Sequence, residues 1–291
     1  MTRFELVCLT IVAVYVALRL AKSGGKPWEV VARFVLLSVS SATAEDTIIR
    51  AYGTYGYATT WSIAVGKVPL VVVLVWPVVV DSAAVLARAI LGDRGPAAPL
   101  RLAAISAGIV LADAALIEPV AVRAGLWRWT EPGVFGVPII GILGWAVFAF
   151  VATYVIETRA RLAVLLIGPI ATHAVLVAAW WAGLRFLERP LPGVSCAVVA
   201  WIASLAFATR AAARPVSMSA LLMRAPGAVF FFVLLATNFV APATFAEPWS
   251  ASWIAPPASA ALLALYVAAF AAPYVTSVAV SGARRVHSRS S

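Results

Sequence analysis

The chain has 291 residues, of which 63% are hydrophobic and only 12% carry a charged side chain. A soluble domain has about a quarter of its residues charged, so this composition excludes an ordinary soluble globular fold. The net charge of +10 is spread over short loops. It therefore favours membrane topology and anionic lipid headgroups over nucleic-acid binding, which needs a folded basic module.

Apolar runs of membrane-spanning length recur along the chain, separated by loops rich in Pro, Gly and Arg. Because a spanning helix needs about 20 mostly apolar residues, they predict an all-α, polytopic transmembrane helical bundle in a single domain, residues 1–291. The predicted spans are 4–20, 28–44, 63–88, 100–118, 137–156, 162–184, 193–209, 226–245 and 258–280. Nine spans are expected, and eight are possible because Arg33 and several serines interrupt the second.

The basic residues predict an orientation for this bundle. With nine spans, 15 of the 22 Lys and Arg residues, Arg224 among them, fall on one side and 7 on the other. Positive loops stay in the cytoplasm, so we expect the N-terminus outside and the C-terminus inside the cell. Residues 281–291 are expected to form a flexible cytoplasmic tail.

Two acids, Asp81 and Asp113, are embedded in apolar runs. An ionisable group at membrane depth costs at least about 2.5–3.5 kcal/mol, so it usually faces the bundle interior and has a role. For Asp113 a function is favoured over a structural hydrogen bond to a neighbouring helix. Asp81 lies near the end of its run, where pairing with Arg88 is the plainer interpretation. His173 is expected to be a hydrogen-bond partner between helices.

The segment AEDTIIRAYGTYGYATTW, residues 44–61, combines acids with aromatic rings. Asp46 and Arg50 are four residues apart, acid first, which is the favoured order for an ion pair on one helix face. The rings that follow belong to Tyr52, Tyr55, Tyr57 and Trp61. They predict either an interfacial aromatic belt or the mouth of an apolar pocket with Glu45 or Asp46 as its acid.

A second aromatic segment follows the fourth span. Pro119 disfavours helical geometry at Glu118, so the span is expected to end or kink there. In an extended stretch Trp127 and Trp129 direct both indoles to the same side. Such rings stabilise a carbocation by about 0.5–2 kcal/mol, but they suit stacking on Arg128 or interface anchoring equally well. The sequence contains no Gly-rich phosphate loop, HExxH motif, Asp-rich diphosphate–magnesium motif or metal-spaced histidines, so no metal and no cofactor is expected.

Several of these residues form one longer pattern. It consists of Glu45, Tyr52, Gly53, Tyr55, Tyr57, Val68, Pro69, Trp76, Asp113, Glu118, Pro119, Gly125, Trp127, Trp129, Gly136, Pro138, Gly144 and Trp145. Over residues 45–150 the chain resembles the membrane carotenoid-biosynthesis family that contains the bacterioruberin-type carotenoid 1,2-hydratases. Two positions depart from that family: Glu118 stands where it usually has Asp, and Gly141 where it has Asn.

The resemblance implies an enzyme of a bacterial or archaeal cell membrane that adds water to a terminal isoprenoid double bond. Protonation of the alkene by a carboxylic acid gives a tertiary cation, which water captures. Asp113 is the favoured acid, with Glu118 or Glu45 as the base and Asp46 as a further candidate. The expected substrate-binding residues are Arg50, Tyr52, Tyr55, Tyr57, Trp76, Trp127, Trp129 and Trp145. The partners implied are a hydrophobic isoprenoid or carotenoid, membrane lipid and other enzymes of the carotenoid pathway.

Three other functions stay open at this point. A proton-initiated terpene or carotenoid cyclase shares the first chemical step, and Gly141, which lacks the family's amide, would fit its drier site. A small-molecule transporter ranks lower, because nine spans without an inverted repeat are atypical of transporters. A non-catalytic scaffold ranks last, because it would have no use for buried acids.

Overall fold

The computed structural model describes residues 2–91, 98–158, 161–186, 202 and 217–240. Within these ranges the fold is mostly helical. The helices are α1 (Arg3–Ala21), α2 (Pro27–Tyr52), α3 (Leu70–Leu91), α4 (Ala98–Arg123), α5 (Ile139–Glu157), α6 (Val164–Ala182), α7 (Met218–Leu222) and α8 (Ala225–Val240). Two short 3-10 helices, Arg161–Ala163 and Leu184–Phe186, flank α6.

Five of the described helical segments are long and apolar enough to cross a membrane: α1, α3, α4 as far as Val122, α5, and Arg161–Ala182. The predicted helical fold is thus confirmed, with five candidate membrane spans among the described residues. Helices α2 and α4 are the longest described elements, with 26 residues each. Helix α2 is not among the five candidate spans, because its polar and charged side chains lower its mean hydropathy. It packs against α3 and α6 inside the bundle. The count of nine is not established, because spans 193–209 and 258–280 lie outside the described residues, apart from position 202.

Two predicted boundaries were wrong. The third span was expected to begin at residue 63, but α3 begins at Leu70. The preceding residues form a hairpin of strands β2 (Ala64–Val65) and β3 (Val68–Pro69), with Gly66 at φ +65° in its turn. The fourth span, which was expected to end or kink at Pro119, was predicted to end at residue 118. Instead α4 continues to Arg123, and the chain turns at Gly125, where φ is +71°.

Two further strands connect distant parts of the chain. Strand β1 (Tyr55–Tyr57) follows α2, and strand β4 (Trp127–Trp129) follows α4. They pair antiparallel, with Tyr55 opposite Trp129 and Tyr57 opposite Trp127. Trp127 and Trp129 thus lie in an extended stretch, the condition under which both indoles point to the same side. The strand pair brings the two aromatic segments of the sequence together at one end of the bundle.

A cluster of ion pairs joins the helices elsewhere in the bundle; we call it the arginine cluster. Asp81 of α3 accepts hydrogen bonds from Tyr15 Oη at 2.8 Å, from Arg19 Nε at 2.6 Å and from Arg33 Nη1 at 3.1 Å. Arg33 also bonds Glu157. The expected pairing of Asp81 with Arg88 was wrong, because Arg88 pairs with Glu157 instead.

Candidate functional site

A cavity of about 540 Å³ lies below the β1–β4 strand pair. Its wall is mainly apolar and is built from residues of α1 to α6, the two strands and the start of α8. All of the sequence-predicted site residues line it except Asp46 and Arg50. The cavity thus brings together three of the predicted acids, Glu45 of α2 and Asp113 and Glu118 of α4, around one apolar space.

Glu118 is buried, at 2% exposure, and its carboxylate is held by three indoles. Trp127 Nε1 and Trp129 Nε1 donate to Oε2 at 2.8 and 3.1 Å. Trp145 Nε1, from α5, donates to Oε1 at 2.8 Å. Each indole N–H is an uncharged group that can donate a hydrogen bond but cannot accept one. The site therefore stabilises a negative charge on Glu118 without a countercharge from these three partners.

Glu45 occupies the neighbouring position on α2. Tyr57 Oη and Trp76 Nε1 donate hydrogen bonds to its two carboxylate oxygens. Burial, and then the nearby carboxylate of Glu45, raise the pKa of the Tyr57 phenol well above its usual value. The phenol consequently keeps its proton and acts as a donor. Glu45 and Glu118 are close enough to interact electrostatically, so they form a pair of acids held by neutral donors; we call it the carboxylate pair.

The aromatic rings around the carboxylate pair pack against one another. The centroids of Tyr55 and Trp129 are 4.6 Å apart, and those of Tyr57 and Trp127 are 5.9 Å apart. Both contacts follow from the β1–β4 register. Trp76 and Trp145, from α3 and α5, pack with centroids 5.0 Å apart. The tryptophans thus contribute twice, since their N–H groups bind the acids and their faces form the wall.

Gly141 is the position at which Trp129 crosses α5. A Cβ atom placed on Gly141 would lie 2.5 Å from Cζ2 of Trp129, which is closer than side chains approach. Trp129 could not keep this position against a larger residue, and its bond to Glu118 depends on that position. The departure from the family noted at Gly141 thus has a local explanation, because the indole fills the space of the missing side chain.

Asp113 has a different environment from the carboxylate pair. It is 8% exposed, and both of its carboxylate oxygens accept hydrogen bonds from Nη2 of Arg224, which lies just before α8. Nη1 of Arg224 also donates to Ser82 Oγ at 2.9 Å. Arg224 had been counted among the loop residues that set topology, but it is buried at 8% exposure. Sequence reasoning missed Arg224 and Ser82. In the sequence, a buried arginine at the end of an apolar helix cannot be distinguished from an exposed arginine that flanks a membrane span.

The remaining predicted residues lie at the edge of the site. Asp46 and Arg50 form the expected i,i+4 ion pair, with Nε to Oδ2 at 2.7 Å, but the pair does not line the cavity. Tyr52 lines the cavity and remains 48% exposed. Its hydroxyl lies 3.2 Å from Nδ1 of His173, whose Nε2 is 2.9 Å from Thr47 Oγ1. His173 therefore connects α6 to α2, as expected for a hydrogen-bond partner between helices.

One protein family matches more than half of the chain. The family described as carotenoid biosynthesis protein matches residues 4–180, which include every element around the carboxylate pair. The chain belongs to this family. No curated protein and no solved structure matches it significantly. Membership of the family assigns the protein to carotenoid biosynthesis and implies an isoprenoid substrate.

Proposed function

We propose that this member of the carotenoid biosynthesis family adds water to a terminal double bond of an acyclic or monocyclic carotenoid. The observation that carries the proposal is the carboxylate pair. Two buried glutamates share one apolar cavity, and the hydrogen bonds described for them come from indole and phenol groups. In a low-dielectric site two adjacent carboxylates cannot both ionise without a large cost, so one of them keeps its proton near neutral pH.

The surroundings of the two acids assign their roles. Three indole N–H groups donate to Glu118, whereas Glu45 is bonded by the phenols of Tyr57 and Tyr55 and by one indole, that of Trp76. A phenol can also accept a hydrogen bond from a protonated carboxyl group, which an indole N–H cannot do. We therefore assign Glu45 as the proton donor and Glu118 as the base that orients water. Asp113, which the sequence favoured as the acid, is paired with a guanidinium, and this pairing favours its ionised form.

The reaction balances with these two groups. Glu45 delivers a proton to the less substituted alkene carbon, and the π electrons form the new C–H bond. The tertiary cation that remains is attacked by a water molecule, and Glu118 takes the proton which that water releases. The product is a tertiary alcohol, and transfer of the proton back to Glu45 restores the starting state. Each group acts as a positioned acid or base, an effect worth typically 10²–10⁴-fold in rate.

The cavity also protects the intermediate. The rings of Tyr57, Trp127 and Trp145 line the cavity beside the carboxylate pair, and cation–π attraction to such rings contributes about 0.5–2 kcal/mol. An extended C40 polyene is about as long as the ~30 Å hydrocarbon core is thick. We infer that one end group enters the cavity while the rest of the chain lies along the helices.

One observation favours a cyclase as the second candidate. At Gly141 the wall presents the ring of Trp129 instead of a polar side chain, which reduces the number of groups that can hold a water molecule. In a cyclase an internal double bond, rather than water, would capture the same cation. The two reactions share Glu45 as the acid and differ in the mass of their product.

Mass spectrometry of the product distinguishes these functions. The protein should be expressed in a host that accumulates an acyclic carotenoid, and the lipid extract analysed. A gain of the mass of one water molecule supports hydration, and an isomer of the substrate supports cyclisation. The variant Glu118→Gln should form no product, whereas Asp46→Asn, an acid outside the cavity, should behave as wild type. Formation of neither product in the wild type would contradict both assignments.

We also propose an orientation for the bundle. Without the buried Arg224, 14 basic residues remain on the predicted cytoplasmic side against 7 on the other. This excess still favours an outer N-terminus and a cytoplasmic C-terminus in the cell membrane. A reporter fused after residue 291 should be active only inside the cell, and activity outside would reverse the assignment.

A further inference from the structure

A second polar site lies deeper in the same cavity. Ser82, Asp113 and Arg224 line the cavity wall and form what we call the polar floor. All three are more than nine-tenths buried, with exposures of 3%, 8% and 8%. They come from three separate segments, α3, α4 and the residue before α8. The described part of the chain thus directs two charges and a hydroxyl into a largely apolar space.

The depth of this floor follows from helix geometry. Asp113 precedes Glu118 by five residues, about 7.5 Å along α4 at 1.5 Å per residue. Ser82 follows Trp76 by six residues, about 9 Å along α3. Helix α3 begins directly after strand β3, and helix α4 ends shortly before strand β4. The carboxylate pair lies nearer to these ends of the two helices than the polar floor does. The polar floor consequently lies roughly 8 Å farther into the bundle than the reacting acids.

Stability alone does not account for an ion pair at this position. Replacing a buried pair by apolar residues of similar volume is often neutral or stabilising, because desolvation offsets the attraction. The same groups have a clear use as a binding site. A carboxylate has lone-pair positions for about four hydrogen bonds, and a guanidinium has five N–H donors. A hydroxyl group both donates and accepts, so it can interact with both members of the pair.

We infer that the polar floor formed by Ser82, Asp113 and Arg224 binds an uncharged oxygen-bearing group, a hydroxyl, on the isoprenoid substrate at a position roughly 8 Å from the double bond that lies at the carboxylate pair. The pair is neutral overall, which disfavours a phosphate or carboxylate ligand. Arg224 lies beyond the family match at residues 4–180, so this recognition depends on the C-terminal part of the chain. The inference rests on the proposed function for the identity of the substrate class, but its test does not require turnover.

Binding of two polyenes that differ in one hydroxyl tests the inference. Retinol and the hydrocarbon that lacks only its hydroxyl group absorb where tryptophan emits. The tryptophans that line the cavity, among them Trp76, Trp127, Trp129 and Trp145, therefore report binding by fluorescence quenching. The full-length wild type in detergent should bind retinol about 10- to 100-fold more tightly, the range of a hydrogen bond to a charged group. Equal affinities in the wild type would overturn the inference, whatever the result of the product analysis.

Variants then test whether the polar floor causes the preference for retinol over the hydrocarbon. The double substitution Arg224→Met with Asp113→Leu removes the pair together and should reduce the preference to about 1 without weakening hydrocarbon binding. The matched control, Arg50→Met with Asp46→Leu, removes a pair outside the cavity and should keep the full preference. Ser82→Ala should reduce it several-fold. If the double variant does not fold, Ser82→Ala and the wild type decide the outcome. A preference that persists in the floor variants excludes the site.

Discussion

Two groups of acids in this bundle differ in what holds them. In the carboxylate pair, Glu45 and Glu118 receive hydrogen bonds from indoles and phenols. In the arginine cluster, Asp81 and Glu157 receive them from guanidinium groups. A guanidinium fixes a carboxylate as an anion, whereas a neutral donor leaves it able to exchange a proton. Burial alone therefore does not identify a catalytic acid, and the donors around it are more informative.

The largest effect is expected at Glu118. Glu118→Gln keeps the size of the side chain but removes the base, so product formation should fall by about 10²–10⁴-fold. Glu118→Asp keeps the carboxylate and should retain more activity than Gln. The measurement is product per unit of monodisperse, detergent-extracted protein. Wild-type turnover in Glu118→Gln would show that neutral donors do not indicate a catalytic acid here.

The arginine cluster should respond in the opposite manner. Asp81→Asn removes the carboxylate that pairs with Arg19 and leaves Arg33 with Glu157 as its countercharge, and breaking a buried pair costs about 3–5 kcal/mol in stability. We expect a lower midpoint of thermal unfolding and unchanged turnover per folded molecule. Tyr15→Phe, which removes one neutral donor to Asp81, provides a milder comparison. A loss of turnover in Asp81→Asn at full stability would erase the distinction between the two groups.

Substitutions at Trp129 separate its two contributions. Trp129→Phe removes the N–H donor to Glu118 but keeps an aromatic face, and a hydrogen bond to a charged group corresponds to about 10- to 100-fold in rate. Trp129→Leu also removes the face and should cost a further factor of roughly 2–30. Equal turnover of the Phe and Leu variants would exclude a cation-facing wall at this position.

The smallest effect is expected at Gly141. Gly141→Ala displaces the Trp129 ring, and modest overpacking should reduce turnover by about 5- to 10-fold. In the background of Trp129→Phe the same substitution should cost almost nothing more, because the shorter ring leaves room for a methyl group. Additive losses in the double variant would show that Gly141 acts independently of Trp129.

Much of the fold could be predicted from local sequence. Hydropathy located the first six helices, whereas the strands β1 and β4 were not predicted. The start of α3 was missed because the apolar residues around Gly66 have the composition of a helix, while the turn depends on a single glycine. The count of spans in the C-terminal part lies outside the described residues.

The residues that line the cavity could largely be predicted from the sequence, but the proposed assignment of acid and base depends on contacts that the sequence does not show. Glu45, Glu118 and the surrounding rings were all expected from the acids and aromatic residues of two segments. The favoured acid, Asp113, differs from them through Arg224, which is 111 positions away in sequence. No local pattern shows that contact. A prediction that ranks acids by burial alone therefore cannot distinguish an ion-paired carboxylate from one held by tryptophans.

The β1–β4 pairing has a consequence for biosynthesis. Tyr57 and Trp127 lie opposite each other in the strand pair, but they are separated in sequence by the whole of α3 and α4. During synthesis Glu45 enters the bilayer before its donor Trp76, and Glu118 before its donor Trp145. The pair of acids can therefore acquire its full set of donors only after α5 has been inserted. Helix insertion and completion of the site are thus successive stages, and a nascent chain that stops before Trp145 would contain the acids without a finished pocket.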